Sequence, residues 1–388
     1  MPRRYQHHFP HPRRGSGGGF FLRVFVLLVI AAGVWVWWQS RKPTAPEPQA
    51  IPAPRETNLA IGLKSVFVTP LTNVHAPLKT GPPPVRIVSP MPQPQPQPPP
   101  GILPRPARDV FEAQLVLARH GLSPGSLDGV MGPQTRAAIL AFQRKIGLAE
   151  TLELDADTRS RLLLETPPLT TYTVTSNDLA RLQPLSKTWL GKSQQTALEY
   201  ETILELVAER GHASPNLIRR LNPAIDWTNV VAGTEVQIPD VKYPEPRERA
   251  GFIVISLGEK KLEAFDARTN LFAHFPCSIA ARVEKRPAGE LRVAAIAPNP
   301  DYTFDPEVFP ESAEARQLNR KLSLPPGPNN PVGTAWISLD KPRYGMHGTP
   351  NPEQVGRTES HGCFRLANWN AEYLLKLVWI GMPVYIEP

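Results

Sequence analysis

Nineteen of the 47 prolines fall between Pro43 and Pro106, including the run QPQPQPPP, and no sustained apolar periodicity runs through that stretch. Proline lacks a backbone N–H and fixes φ, so neither a helix interior nor a central strand can be built across such a density of it. Residues 39–106 therefore read as a linker, extended at about 3.1 Å per residue where polyproline II forms. Packed domains must lie beyond it, and 388 residues suggest two or three of them.

Charge sorts the segment before the linker. Arg3, Arg4, Arg13, Arg14, Arg23, Arg41 and Lys42 give +7 in the first 42 residues with no acidic residue, which leaves +1 of the total +8 for the other 346. The basic balance is thus a topology signal, and no nucleic-acid footprint remains elsewhere. Gly17 to Trp38 is apolar apart from Arg23, and a membrane span needs about 20 such residues. Trp35, Trp37 and Trp38 stand where an aromatic belt forms. The expectation is a basic cytoplasmic N-terminus over 1–16 and an uncleaved transmembrane helix over 17–38, with the bulk of the chain outside the cytoplasm. A cleaved signal peptide is the competing reading.

Past the linker, Phe111, Leu115, Ala118 and Leu122 recur at helical spacing, as do Thr135, Ile139, Phe142 and Ile146. GSLDGVMGPQT between them is turn chemistry, with corners at Asp128-Gly129 and Gly132-Pro133. With Gln114, Leu115, Leu127-Asp128-Gly129, Gly132, Thr135 and Phe142-Gln143, the segment 107–166 resembles the peptidoglycan-binding domain 1 family. That resemblance implies a small all-α, three-helix module that holds cell wall. Residues 170–241 read as strand TYTV, helices LELVAERG and SPNLIRRLNP, and a closing strand GTEVQIP, with Gln183 to Thr196 inserted after the first strand. This βααβ order resembles a LysM module, a small α+β unit whose family role is to hold N-acetylglucosamine-containing glycan.

The remaining 250–388 is long enough for its own core. Phe252 to Leu257, Lys261 to Asp266, Ala273 to Ile279 and Leu291 to Ala297 read as strands. One clear helix is expected near the end, capped by Asn368 or Asn370, buried through Tyr373, Leu374, Leu377 and Val378, and stopped by Gly381 and Pro383; VYIE then closes the sheet.

Tyr344 to Leu366, YGMHGTPNPEQVGRTESHGCFRL, holds one of the two cysteines and two of the nine histidines. A thiol is nucleophilic as thiolate, and an imidazole in reach can take its proton, so Cys363 and His347 are the candidate pair. Gly348, Pro350, Pro352 and Gly356 lie between them and make a loop that can fold them together. Gly362 before the thiol leaves room for backbone N–H groups at a substrate carbonyl.

HGT, a short loop, then SHGCFRL resembles the signature of the L,D-transpeptidase (YkuD-type) catalytic domain. The resemblance implies a mostly-β fold, Cys363 as nucleophile, His347 as proton acceptor and donor, and the Gly348 carbonyl as the group that orients the ring. It implies acyl transfer through a thioester, from a tetrapeptide stem cleaved between diaminopimelate and D-alanine to another stem's amine. The partners implied are peptidoglycan peptide and glycan, and the chemistry needs no cofactor. Ser360, His361, Gly362 and Arg365 complete the candidate oxyanion or substrate-positioning set. His361 can orient substrate or bond within the loop, and Arg365 can bind a carboxylate or hold the loop. One departure from the family is Arg286-Pro287-Ala288-Gly289 where Thr-Pro-x-Gly is frequent.

Three other readings compete. Water as acceptor would make the enzyme an L,D-carboxypeptidase, and loss of catalysis would leave a wall-tethering protein. A zinc site from His347, His361 and Cys363 fits poorly, with two ligands only two residues apart and no fourth. A Cys277–Cys363 disulfide would silence the nucleophile.

Overall fold

The computed structural model describes residues 102–388, apart from 310–311, 359 and 361. The expected span over 17–38 and the linker up to residue 101 lie outside the described residues. Among the described residues no helix is long and apolar enough to cross a membrane.

The first module is three helices closed by a short strand pair. Strand β1 (Arg105–Pro106) pairs antiparallel with β2 (Leu163–Leu164), around α1 (Val110–Arg119), α2 (Pro133–Ile146) and α3 (Ala156–Arg161). Asp109 caps α1 by accepting from the Glu112 N–H, Pro133 occupies the first turn of α2, and Gly147 ends it at φ 71°. Leu115, Ile139 and Phe142 are buried, whereas Phe111 is only partly buried and Ile146 is 42% exposed. Each apolar row expected from periodicity frays at one end, at Phe111 or Ile146, while Leu122 and Thr135 at the other ends are buried. Gln114 fastens the turn: its amide donates to Asp128 (2.9 Å) and Thr135 (3.0 Å), and its carbonyl accepts from the N–H groups of Asp128 and Gly129.

In the second module β3 (Leu169–Thr173) pairs antiparallel with β4 (Glu235–Pro239). Four helices, rather than the two expected, lie between them: α4 (Ser176–Arg181), α5 (Trp189–Ser193), α6 (Ile203–Arg210) and α7 (Pro215–Leu221). The additional α5 lies inside the insertion. Both modules contribute to a single apolar cluster that includes Leu117, Phe142, Val207, Ile218 and Val236. The turn of the first is bonded to the second, with Leu127 N–H donating to His212 O (2.8 Å) and Ser214 N–H to Leu127 O (2.9 Å).

The third unit is built on an eight-stranded sheet in the order β13-β12-β11-β8-β14-β5-β6-β7. Its strands are β5 (Phe252–Ser256), β6 (Lys261–Phe265), β7 (Leu271–Pro276), β8 (Gly289–Pro298), β11 (Ala335–Leu339), β12 (Gly345–His347), β13 (Phe364–Arg365) and β14 (Pro383–Glu387). β14 lies between β8 and β5, parallel to β5. Two further strands, β9 (Tyr302–Phe304) and β10 (Leu322–Leu324), form a separate hairpin whose connection carries helix α8 (Ala313–Leu318). That helix had no periodic signal long enough to be read from sequence.

Helix α9 (Asn368–Leu377) buries Tyr373, Leu374 and Leu377 against the sheet. The expected asparagine cap is absent: Ala367 holds the cap position with no side-chain bond, and Asn368 and Asn370 are buried in the first turn. Asn368 is engaged elsewhere, as described below.

Both sheet edges are covered. Beyond β13, Ser278 and Arg365 exchange backbone bonds (2.9 and 3.0 Å), Ser360 N–H donates to Ile279 O, and Ala281 N–H donates to Ser360 O. The chain leaving β7 thus wraps to the opposite edge and curls the sheet. Along β7, His274 N–H donates to Gly121 O (3.1 Å) and its carbonyl accepts from Ser123 N–H (2.8 Å), so the first module covers this edge at His274.

Candidate active site

The local logic of the site is strand alternation. β12 and β13 run parallel in the register Met346↔Phe364 and His347↔Arg365. Met346 and Phe364 point into the apolar core, where both are buried. Side chains one residue away point to the other face, and there His347, Cys363 and Arg365 line a cleft of about 1100 Å³. Tyr302 from the hairpin and Tyr344 line the same cleft.

His347 is 5% exposed and stacks on Trp336, with ring centroids 5.4 Å apart. Its Nδ1 lies 2.6 Å from the Gly348 carbonyl. A carbonyl only accepts, so Nδ1 carries the proton and Nε2 has the free lone pair. Gly348 packs against Asn368, which is fully buried; its Oδ1 accepts from Thr334 N–H (3.3 Å) and its Nδ2 donates to Pro328 O (3.1 Å). Glycine is required beside it on both sides. A Cβ on Gly348 would sit 2.3 Å from Asn368 Oδ1, and one on Gly333, at φ +62°, would sit 1.9 Å from that atom.

Cys363 is half-buried and its thiol donates to the Arg343 carbonyl at 3.4 Å. Burial pushes the thiol up to about 11, against the pull of the Gly345 backbone and the Arg365 charge. Burial likewise takes the His347 imidazole down to about 4, with the Gly348 bond working the other way. Both groups are neutral at pH 7, because an apolar wall disfavours each charged form. Alkylation of Cys363 by iodoacetamide is therefore expected to rise about tenfold per pH unit from pH 6 to 9, since the thiolate fraction grows at that rate below the pKa. A rate plateau near neutrality would show instead a standing thiolate–imidazolium pair.

Ser360 is buried and serves the turn itself: its Oγ donates to the Cys363 carbonyl (2.5 Å) and accepts from Gly362 N–H (3.2 Å). Gly362 is thus engaged in the resting site. Arg365 exchanges backbone bonds with Ser278 while its side chain lines the cleft. His361 lies outside the described residues. Arg286 donates to the Ala280 carbonyl (2.8 Å), so the departure at 286–289 anchors the segment that leaves β7. The two cysteines are both free, and burial pushes the Cys277 thiol up to about 12. Among the described residues no group of three or more potential ligands could hold a metal. Sequence reading missed Asn368 and Trp336 as supports for His347. Neither carries a spacing signal, because both act across the fold.

An enzyme domain on a mostly β scaffold, preceded by a helical wall-binding domain, is the class that fold and comparisons define. Residues 250–386 match the family model of the L,D-transpeptidase catalytic domain, YkuD, and residues 107–162 match that of a "Putative peptidoglycan binding domain". The chain is 27% identical over 185 residues to the "Putative L,D-transpeptidase YkuD" of Bacillus licheniformis, covering 48% of this chain and 93% of that protein. It is 28% identical over 180 residues to the "Probable L,D-transpeptidase ErfK/SrfK" of Escherichia coli, covering 46% and 57%. L,D-transpeptidase 3 from Mycobacterium tuberculosis is similar at 16% identity and a TM-score of 0.29, covering 41% of this chain and 77% of that one. The chain thus carries an enzyme domain of the L,D-transpeptidase, YkuD type over residues 250–386.

Proposed function

We propose that the protein cross-links peptidoglycan outside the cytoplasm, with Cys363 as nucleophile and His347 as its acid and base. The observation that carries this reading is the adjacency of β12 and β13, which face the thiol and the imidazole into one cleft with Nδ1 already engaged. The Cys363 sulfur attacks the carbonyl carbon of the scissile peptide bond and its proton passes to Nε2 of His347. The C–N bond then breaks and His347 returns the proton to the departing D-alanine amine, leaving a thioester. A second stem's amine attacks that thioester, His347 takes the amine's proton, and the thiol is restored.

The oxyanion is held by backbone N–H groups at the Gly362–Cys363 turn. The Gly362 bond to Ser360 Oγ, at 3.2 Å, is at the long end for N–H···O and yields to a charged acceptor. Such a donor is worth about 10² to 10³ in rate. Arg365 and His361 position the substrate.

The second module acts as a LysM-like glycan holder, a reading supported by its antiparallel strand pair enclosing α6 and α7. The apolar 17–38 segment and the charge asymmetry around it support a single-pass anchor in the cytoplasmic membrane. Muropeptide analysis of sacculi treated with the full-length protein tests the acceptor. Cross-linked dimers are expected. Trimmed tripeptides alone would make water the acceptor and the enzyme an L,D-carboxypeptidase.

A further inference from the structure

One wall of the cleft belongs to the catalytic unit but is packed against the second module. The hairpin β9–β10 and its connection through α8 supply Tyr302, Asp305, Phe309 and Lys321 to the lining, and Trp189 of α5 lines the cleft beside them. This wall does not share the apolar core of the catalytic sheet. Its buried residues, Phe304, Ala315, Leu322 and Leu324, cluster instead with Leu198 of the second module, and Leu185, Trp189 and Leu190 pack against that cluster.

The attachment is specific at each end. The Trp189 ring stacks on Phe304, with centroids 4.4 Å apart and planes at 18°, and lies 5.6 Å from Phe309. The backbone N–H groups of Trp189 and Leu190 both donate to the Glu314 carboxylate of α8, at 3.0 and 2.9 Å. Leu198 N–H donates to Pro326 O and its carbonyl accepts from Asn329 N–H, each at 2.9 Å. Gly327 is confined by the same contact, since an added Cβ would lie 2.3 Å from the Leu198 carbonyl oxygen. Without residues 185–198, Phe304, Leu322 and Leu324 would lose the partners that bury them.

We propose that the insertion in the second module is a working part of the acyl-transfer cleft, with Trp189 a positioning residue that holds the hairpin wall against which a stem-peptide donor is bound. The inference rests on the L,D-transpeptidase reading for its substrate but not for its mechanical claim. A module whose sequence reads as a glycan holder thereby also sets the shape of the catalytic groove.

Full-length Trp189→Ala and Trp189→Phe test this with three readouts. The first is Cys363 thioester formation against tetrapeptide-donor concentration, the second is Cys363 alkylation by iodoacetamide, and the third is hydrogen exchange by peptide. In Trp189→Ala, acylation efficiency is expected to fall about tenfold or more, chiefly through a higher half-saturating donor concentration. Alkylation should stay within about twofold, because the small reagent does not need the wall, and exchange should quicken over 302–309 and 312–324 while 345–358 keeps its protection. Trp189→Phe, which keeps an aromatic face for Phe304, should recover to within about threefold of wild type.

Wild-type acylation and exchange in Trp189→Ala would overturn the proposal, as would equal losses in all three readouts or uniform loosening of the chain. Should the wild type itself form no thioester, the transpeptidase reading falls and exchange over the hairpin alone decides the mechanical claim.

Discussion

Cys363→Ala is expected to abolish the covalent adduct seen by intact mass after incubation with a tetrapeptide donor or a carbapenem. The wild type should gain the acyl mass at one site, and the variant none. No second thiol can substitute, because Cys277 is buried in the core with its thiol pushed up to about 12. The substitution removes a half-buried sulfur whose hydrogen bond is to a backbone carbonyl, so the fold should be retained and melting should shift by only a few degrees, about 1 kcal/mol. Adduct on the variant would remove Cys363 from the chemistry.

Gly348→Ala should have the next largest effect, by a different route. Its Cβ would lie 2.3 Å from Asn368 Oδ1 and 3.3 Å from the Asn368 Cα, so either the asparagine leaves its bonds to Thr334 and Pro328 or the Gly348 carbonyl turns. Turning of that carbonyl frees Nδ1 of His347, and with it the tautomer and direction of the ring, because the Gly348 oxygen is the group that Nδ1 bonds. In hydrolases that use an imidazole base, losing the orienting partner costs about 10⁴ in rate, and a drop of about 10² or more in thioester formation is expected here. Overpacking should also lower stability by about 1–3 kcal/mol. Iodoacetamide, which needs no imidazole to protonate a leaving group, should still alkylate Cys363 at close to the wild-type rate. Acylation within about threefold of wild type would show that the Gly348 carbonyl does not orient His347.

What the sequence disclosed, and what it did not, follows from how far apart the interacting residues are. The helices α1 and α2, the turn at Asp128-Gly129 and the strands β5, β6 and β8 are local patterns and were legible. Residue chemistry and an intervening Gly/Pro loop also pointed to His347 and Cys363, which line one cleft. The insertion of β14 between β8 and β5 was not legible, because sheet order depends on pairs as distant as Pro383 with Arg292 and Val384 with Ile253. Asn368 was misread for a related reason: an asparagine at a helix start most often caps it, and only the tertiary approach of Gly333 and Gly348 assigns it another task. The helix α5 is too short for periodicity to reveal, and its partner Phe304 lies 115 residues further along the chain.

The bonds from Gly121 and Ser123 to His274 bear on how such a chain can be rearranged. Drawn along the sequence, its modules look like beads that could be cut apart, reordered or lent to another enzyme. A catalytic fragment begun at residue 250 would leave β7 with an open row of donors and acceptors, which invites pairing between copies and insoluble product. A soluble fragment is expected to need a start near residue 105, so the unit that can be inherited or engineered as one piece is larger than the unit that carries out the chemistry.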